Sequence, residues 1–206
     1  MTDPLRDAAD TMRTVRDRCV WTQQITHRDL VPYLAEESAE LIDAVEDGSR
    51  ADLREELGDL LWQVLFHAEI ASRDPDDPFD IDDVARVLTD KMVRRHPHVF
   101  GDAVATTPAE VLVLWNAAKA AEKSTRTSVL DGVSERMPSL ALAQKLLGKA
   151  ASVGIGVDGP PAPSEEDLGE SLLALVATAR ANGWDAERAL RERLRALEGE
   201  IRDAEA

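Results

Sequence analysis

Cysteine is almost absent from this 206-residue chain. Cys19 stands alone, so no internal disulfide can form and a reducing compartment is expected. Aromatic residues are scarce, at 4%. Bases are in deficit: 24 Lys and Arg face 40 Asp and Glu, a formal charge of −16. That disfavours nucleic acid as a partner, because phosphate backbones bind basic surfaces; a nucleotide held through a metal stays compatible with it. No apolar run reaches the ~20 residues that span a bilayer, so no membrane partner is expected. The opening MTDPLRDAADTMRTVRDR has no apolar core of a signal peptide, and a cytoplasmic protein is expected. Strand signals are missing as well, which leaves an all-α architecture.

Helical signals fill the chain. Asp3-Pro4 supplies a cap and a first-turn proline for a helix over 3–19. Leu30, Leu34, Leu41 and Val45 recur at helical spacing over 29–47, with Gly48 where a C-cap belongs. The stretch 51–72 is the most apolar. Pro75 and Pro78 break the pattern, and Asp80 or Asp82 can cap the next helix, through about Arg95. HPHVFGD ends it, and Thr107-Pro108 opens another helix carrying Leu112, Leu114 and Trp115. Residues 124–138 read as a loop, followed by a helix from Ser139 to about Ala151. The segment VGIGVDGPPAPS, 153–164, reads as a linker. Two tail helices then divide near Asn182-Gly183. The expected division is therefore 1–152, a linker 153–164, and a tail 165–206. EELGDLLWQV (55–64) is echoed by EDLGESLLAL (166–175), which suggests a partial duplication without its preceding acidic helix.

Two acidic clusters carry the chemistry: Glu36-Glu37-x-x-Glu40, then Glu55-Glu56-x-x-Asp59. Residues three and four apart share a helix face, so a short turn between the helices can bring Glu37 and Glu40 against Glu56 and Asp59. On the second helix Glu56, Asp59, Gln63 and His67 form a narrow polar strip. Leu53, Leu57, Leu60, Leu61, Val64 and Ala68 lie on one side of it, Trp62 and Phe66 on the other. Both flanks are expected to be buried, the strip lining a cleft within a helical bundle or a dimer. Converging buried carboxylates are costly unless protonated or held by a cation, and an all-oxygen set favours magnesium or a similar hard ion.

These residues resemble the MazG-like nucleoside triphosphate pyrophosphohydrolases of the all-α NTP pyrophosphatase superfamily. The likeness rests on YLAEESAELIDAV, DLREELGDLLWQVLFHA, DKMVRRHPHVFGD and EVLVLWNAAKAAEK in the same order, over roughly residues 10–150. It implies a helical bundle completed by dimerisation. The implied reaction is magnesium-dependent hydrolysis of nucleoside or deoxynucleoside triphosphates to monophosphate and pyrophosphate, in the service of nucleotide-pool sanitation, with manganese as a substitute ion. Glu37, Glu40, Glu56 and Asp59 would be the metal ligands, with Glu36 an extra ligand or a base orienting water. Lys91 and Arg95, four apart on one face, with Arg94 beside them, would contact the phosphates, and Lys119 is a weaker candidate. Trp115, in EVLVLW, fits the family's tryptophan position, where stacking on the base is expected. His27, His67, His96 and His98 are not expected to be ligands.

The chain departs from the family pattern in places. Cys19-Val20-Trp21-Thr22 replaces C-P-W-D, and Ile25 replaces a glutamine. In the tail the counterparts of the phosphate-binding bases are Ala196 and Glu200, so 165–206 is expected to be a degenerate, truncated repeat. The departures leave a second reading open, a non-catalytic nucleotide-binding module derived from such an enzyme. A di-iron bundle is excluded, because no Glu lies three residues before any histidine.

Overall fold

The computed structural model describes residues 3–122, 127–157, 159 and 164–205. Among them every regular element is a helix: α1 (Pro4–Arg18), α2 (Val31–Glu46), α3 (Arg50–Ala71), α4 (Ile81–Arg95), α5 (Pro97–Phe100), α6 (Pro108–Glu122), α7 (Ser139–Ser152), α8 (Glu165–Ala181) and α9 (Ala186–Glu205). No helix among the described residues is long and apolar enough to cross a membrane.

Local chemistry sets the helix starts. The Asp3 carboxylate accepts from the Leu5 amide at 3.0 Å. Ser49 and Asp52 form a reciprocal capping box at the start of α3, and Asp80 and Asp83 form one at α4. At α6, Glu110 Oε2 accepts from the amides of Thr106 and Thr107 at 2.6 and 3.2 Å. HPHVFGD ends α4 as expected, and Pro97–Phe100 within it closes into the short α5.

Two compact units divide the chain at the end of α6: Met1–Ala121 and Glu122–Ala206. They do not coincide with the division read from the sequence, because α7 packs against α9 in the second unit. The segment 153–164 lies partly outside the described residues (158 and 160–163), as does the start of the 124–138 loop.

In the first unit α2 and α3 form a hairpin across Asp47-Gly48-Ser49. Gly48 is needed for a reason other than the cap expected of it. A Cβ there would lie 2.6 Å from the Cα of Ala44, so the turn passes too close to α2 for any side chain. Helix α1 packs on α3. The core gathers Phe66, Leu30 and Ile25, with Met12, Val15, Trp62 and Ile70 around them. Trp62 stacks on Phe66 with centroids 5.2 Å apart. Among the described residues the two flanks of the α3 strip are covered unequally, the Leu57 side only in part, with Ala68 buried there. Leu57, Leu61 and Val64 are 52%, 37% and 47% exposed, whereas Phe66 is fully buried. The helices of this unit cover the Phe66 side of α3 and leave Leu57, Leu61 and Val64 exposed.

The second unit has its own core. Leu142, Leu146 and Ala150 of α7 meet Leu194, Leu197 and Ile201 of α9, with Leu130 from the preceding loop. The Glu205 carboxylate ties that loop down, accepting from the Ser128 hydroxyl at 2.7 Å and the Val129 amide at 2.6 Å. Gly183, at φ 70°, ends α8 in the left-handed region where glycine is favoured, close to the expected break.

Candidate active site

The hairpin brings two acidic stretches together. Glu37 of α2 and Glu56 and Asp59 of α3 each offer a carboxylate oxygen, all within 4.8 Å of one another. Among the described residues no other three His, Cys, Asp or Glu side chains converge in this way. Glu37 and Glu56 are half-buried, and Glu56 Oε2 is buried with no hydrogen-bond partner among the described residues. The Glu37 carboxyl is held above its ordinary value by burial first, then by Asp59, Glu40, Glu56 and Glu36. Glu56 is raised likewise, by burial, then Glu40, Asp59, Glu55 and Asp52. Glu40 thus stands within electrostatic reach of the group while remaining exposed, and Glu36 is the most weakly coupled of the acids acting on Glu37. Further acids, Asp43, Asp47 and Asp52, join Glu40 and Glu56 in lining an open cleft beside the turn.

An orphaned buried oxygen and carboxylates that resist ionisation are what a hard cation would relieve. The donor set therefore fits a divalent metal. Among the described residues no ion pair joins an arginine or lysine to Glu37, Glu56 or Asp59.

The bases expected on the phosphates lie on α4. Lys91 and Arg95 are half-buried and Arg94 is exposed. Arg95 lies over the Trp115 ring, its guanidinium carbon 5.1 Å from the centroid. His96 meets the same indole edge-on at 5.1 Å. Trp115 is therefore engaged by Arg95 and His96 in this state, and Lys119 follows it one turn on along α6. His96 Nδ1 lies 2.7 Å from the Met92 carbonyl, so it finishes α4 instead of facing the carboxylates.

The loop between α1 and α2 explains two departures from the family pattern. Thr22 is buried, and its hydroxyl donates toward the Val15 and Cys19 carbonyls at 2.9 and 3.2 Å. Ile25 is a core residue. Arg16, buried beneath them, donates to the carbonyls of Thr22 and Ile25. Both substituted positions thus hold the loop together from inside. Trp21 stays exposed, edge-on to Tyr33 at 6.4 Å.

Two features went unread in the sequence. His27 and His67 bring their Nδ1 atoms to 2.7 Å, pinning the loop to α3. Gln63, noted as part of the polar strip, is 1% exposed, and neither amide atom has a hydrogen-bond partner among the described residues. Partners 40 residues apart leave no periodic signal, and an unpaired amide leaves none at all.

An all-helical unit with a carboxylate trio across a helical hairpin defines a class of acidic helical bundle with a candidate cation site. Comparison with known proteins gives the family. The family model of the MazG nucleotide pyrophosphohydrolase domain matches residues 25–100. A nucleoside triphosphate pyrophosphohydrolase of Escherichia coli (strain K12) is 34% identical over 229 residues, covering 98% of this chain and 86% of that one. A nucleoside triphosphate pyrophosphohydrolase/pyrophosphatase MazG of Thermotoga maritima is 36% identical, over 86% of this chain and 75% of that one. An uncharacterised 26.1 kDa protein in the blaB 3′ region of Streptomyces cacaoi is 49% identical, over 98% and 82%. The chain belongs to the MazG nucleotide pyrophosphohydrolase family.

Proposed function

We propose that this protein hydrolyses nucleoside or deoxynucleoside triphosphates to monophosphate and pyrophosphate, in a magnesium-dependent reaction that clears the nucleotide pool. The observation that carries it is the convergence of Glu37, Glu56 and Asp59 within 4.8 Å, in a chain whose relatives bear that activity in their names. The three carboxylates, with Glu40 beside them, would hold the ion; manganese is the expected substitute. Bound there, a divalent ion supplies charge neutralisation for the triphosphate.

The chain's own residues do the rest. Lys91, Arg94 and Arg95 present cations from one end of α4 for the phosphate oxygens. Glu36, exposed at the rim, orients the attacking water and takes its proton. The water oxygen bonds to the α-phosphorus, the α–β bridging bond breaks, and pyrophosphate leaves. Trp115 supplies a flat surface for the base only if Arg95 or His96 turns aside.

The open face of Leu57, Leu61 and Val64 supports a homodimer in which a second copy covers it. Leu61→Asp should then shift the solution mass to that of one chain by light scattering; an unchanged mass removes this face from the interface. We place the protein in the cytoplasm, with no nucleic-acid or membrane partner. Residues 165–206 are read as a degenerate repeat that adds packing but no second site; shared ancestry with 55–64 is compatible with α7 joining the second unit.

Incubation with a panel of triphosphates and magnesium should release pyrophosphate. Orthophosphate as the sole inorganic product would refute the reading. Binding without hydrolysis, seen by calorimetry, would identify a non-catalytic nucleotide-binding module instead.

A further inference from the structure

Gln63, unlike His67, which pairs with His27, is a member of the α3 polar strip to which no role has been given. Its side chain is 1% exposed, and Nε2 and Oε1 both lack a hydrogen-bond partner among the described residues. An unpaired buried amide weakens a fold. A leucine or methionine would fill nearly the same volume without that cost, so packing alone gives no reason for glutamine here.

Its place on the helix points to a reason. Gln63 lies about 6 Å along the axis past Asp59 and about 10 Å past Glu56, on the same strip. Helical side chains lean toward the N-terminus, which tips the carboxamide back toward the carboxylates. A carboxamide takes up no proton at neutral pH. It offers an acceptor oxygen and two N–H donors side by side, which suits a group that both donates and accepts. In a nucleoside triphosphate whose phosphates lie at Glu56 and Asp59 and whose nucleoside runs toward the C-terminus of α3, the sugar would be the next group along. Its hydroxyls both donate and accept, and one helical turn is the separation between α-phosphate and sugar. The base lies further out.

We propose that Gln63 receives the sugar hydroxyls of the substrate, so that the site selects for a hydroxyl-bearing sugar as well as for a triphosphate. This rests on the pyrophosphohydrolase reading. Its buried amide is left unsatisfied in the free protein and becomes satisfied on binding, and a site built to hydrogen-bond a hydroxyl rejects analogues that lack it.

The test compares the full-length protein with Gln63→Leu and Gln63→Met. Pyrophosphate release is measured from ribo-, 2′-deoxyribo- and 2′,3′-dideoxyribonucleoside triphosphates carrying a purine and a pyrimidine. Melting of the metal- and nucleotide-free proteins is measured in parallel. The wild type should favour hydroxyl-bearing sugars over dideoxy by about tenfold or more in kcat/KM. Both variants should lose that preference, keep the dideoxy rate, and melt at higher temperature than the wild type. Four results would overturn the proposal: no sugar preference in the wild type, an equal loss on all sugars, a loss that follows the base, or a fall in melting temperature for both variants, which would mark Gln63 as structurally satisfied by buried water. A wild type that releases no pyrophosphate from any triphosphate would overturn the underlying activity itself, before any variant is compared.

Discussion

Replacing Glu37 with Gln keeps the side-chain volume and removes one of the three carboxylates that meet within 4.8 Å. Two effects of opposite sign follow. Without metal the substitution stabilises. The folded state holds the Glu37 proton more tightly than its ordinary value of 4.5 because of burial, Asp59, Glu40, Glu56 and Glu36. The folded chain therefore binds more protons than the unfolded chain above that pH, and its stability falls as pH rises through this window. The Gln variant escapes the loss, so its melting advantage over the wild type should be larger at about pH 8 than at about pH 4, below the ordinary value of 4.5. With metal the substitution is harmful. Losing an outer-shell partner already costs about 10–100-fold in metal affinity, so losing a direct ligand should cost about 100-fold or more. Thermal melts in chelator at the two pH values, and pyrophosphate release against magnesium concentration, read the two effects separately. If variant and wild type melt alike at both pH values and reach half-activity at the same magnesium concentration, the carboxylates do not form one cation site.

Further expectations concern neighbouring groups. Lys91→Met should raise KM for triphosphates by about tenfold with the helical circular dichroism unchanged, as expected for loss of one phosphate contact; an unchanged KM would remove Lys91 from the phosphate site. Phe66→Ala should cost about 3–5 kcal/mol in urea denaturation, because Phe66 is fully buried among Ile25, Leu30 and Trp62; a loss well under that range would show the core collapsing around the gap. His67 is held below its ordinary value of 6.5 by burial, then by His27. The folded state therefore binds fewer protons there, and its stabilising effect fades as pH falls below about 6.5. Melting of His67→Phe between pH 5.5 and 7.5 should lose that dependence, and an identical pH profile in the two proteins would rule it out.

Local signals made most of the secondary structure legible. Asp3, Asp80 and Thr107 cap α1, α4 and α6 as their position before a helical stretch suggested, because a cap bonds amides only two or three residues away. The sharing of a face by Glu56 and Asp59 needs no more than a helical period. Gly48 shows the limit of such reading. Its place at the end of α2 was evident, but the reason for it is contact with Ala44, which depends on how closely the turn folds back. The division at 153–164 followed composition, whereas the packing of α7 on α9 depends on which apolar faces meet.

Read alone, the amino-acid order determined that this protein is helical and acidic and carries two carboxylate pairs at a spacing that lets them meet. Those properties follow from composition and from contacts within a few turns. Tertiary structure decided which flank of α3 is covered. It also set His27 against His67 and left Gln63 buried, one turn past Asp59, without a partner among the described residues. These depend on side chains distant in sequence, whose contacts are settled only when helices pack.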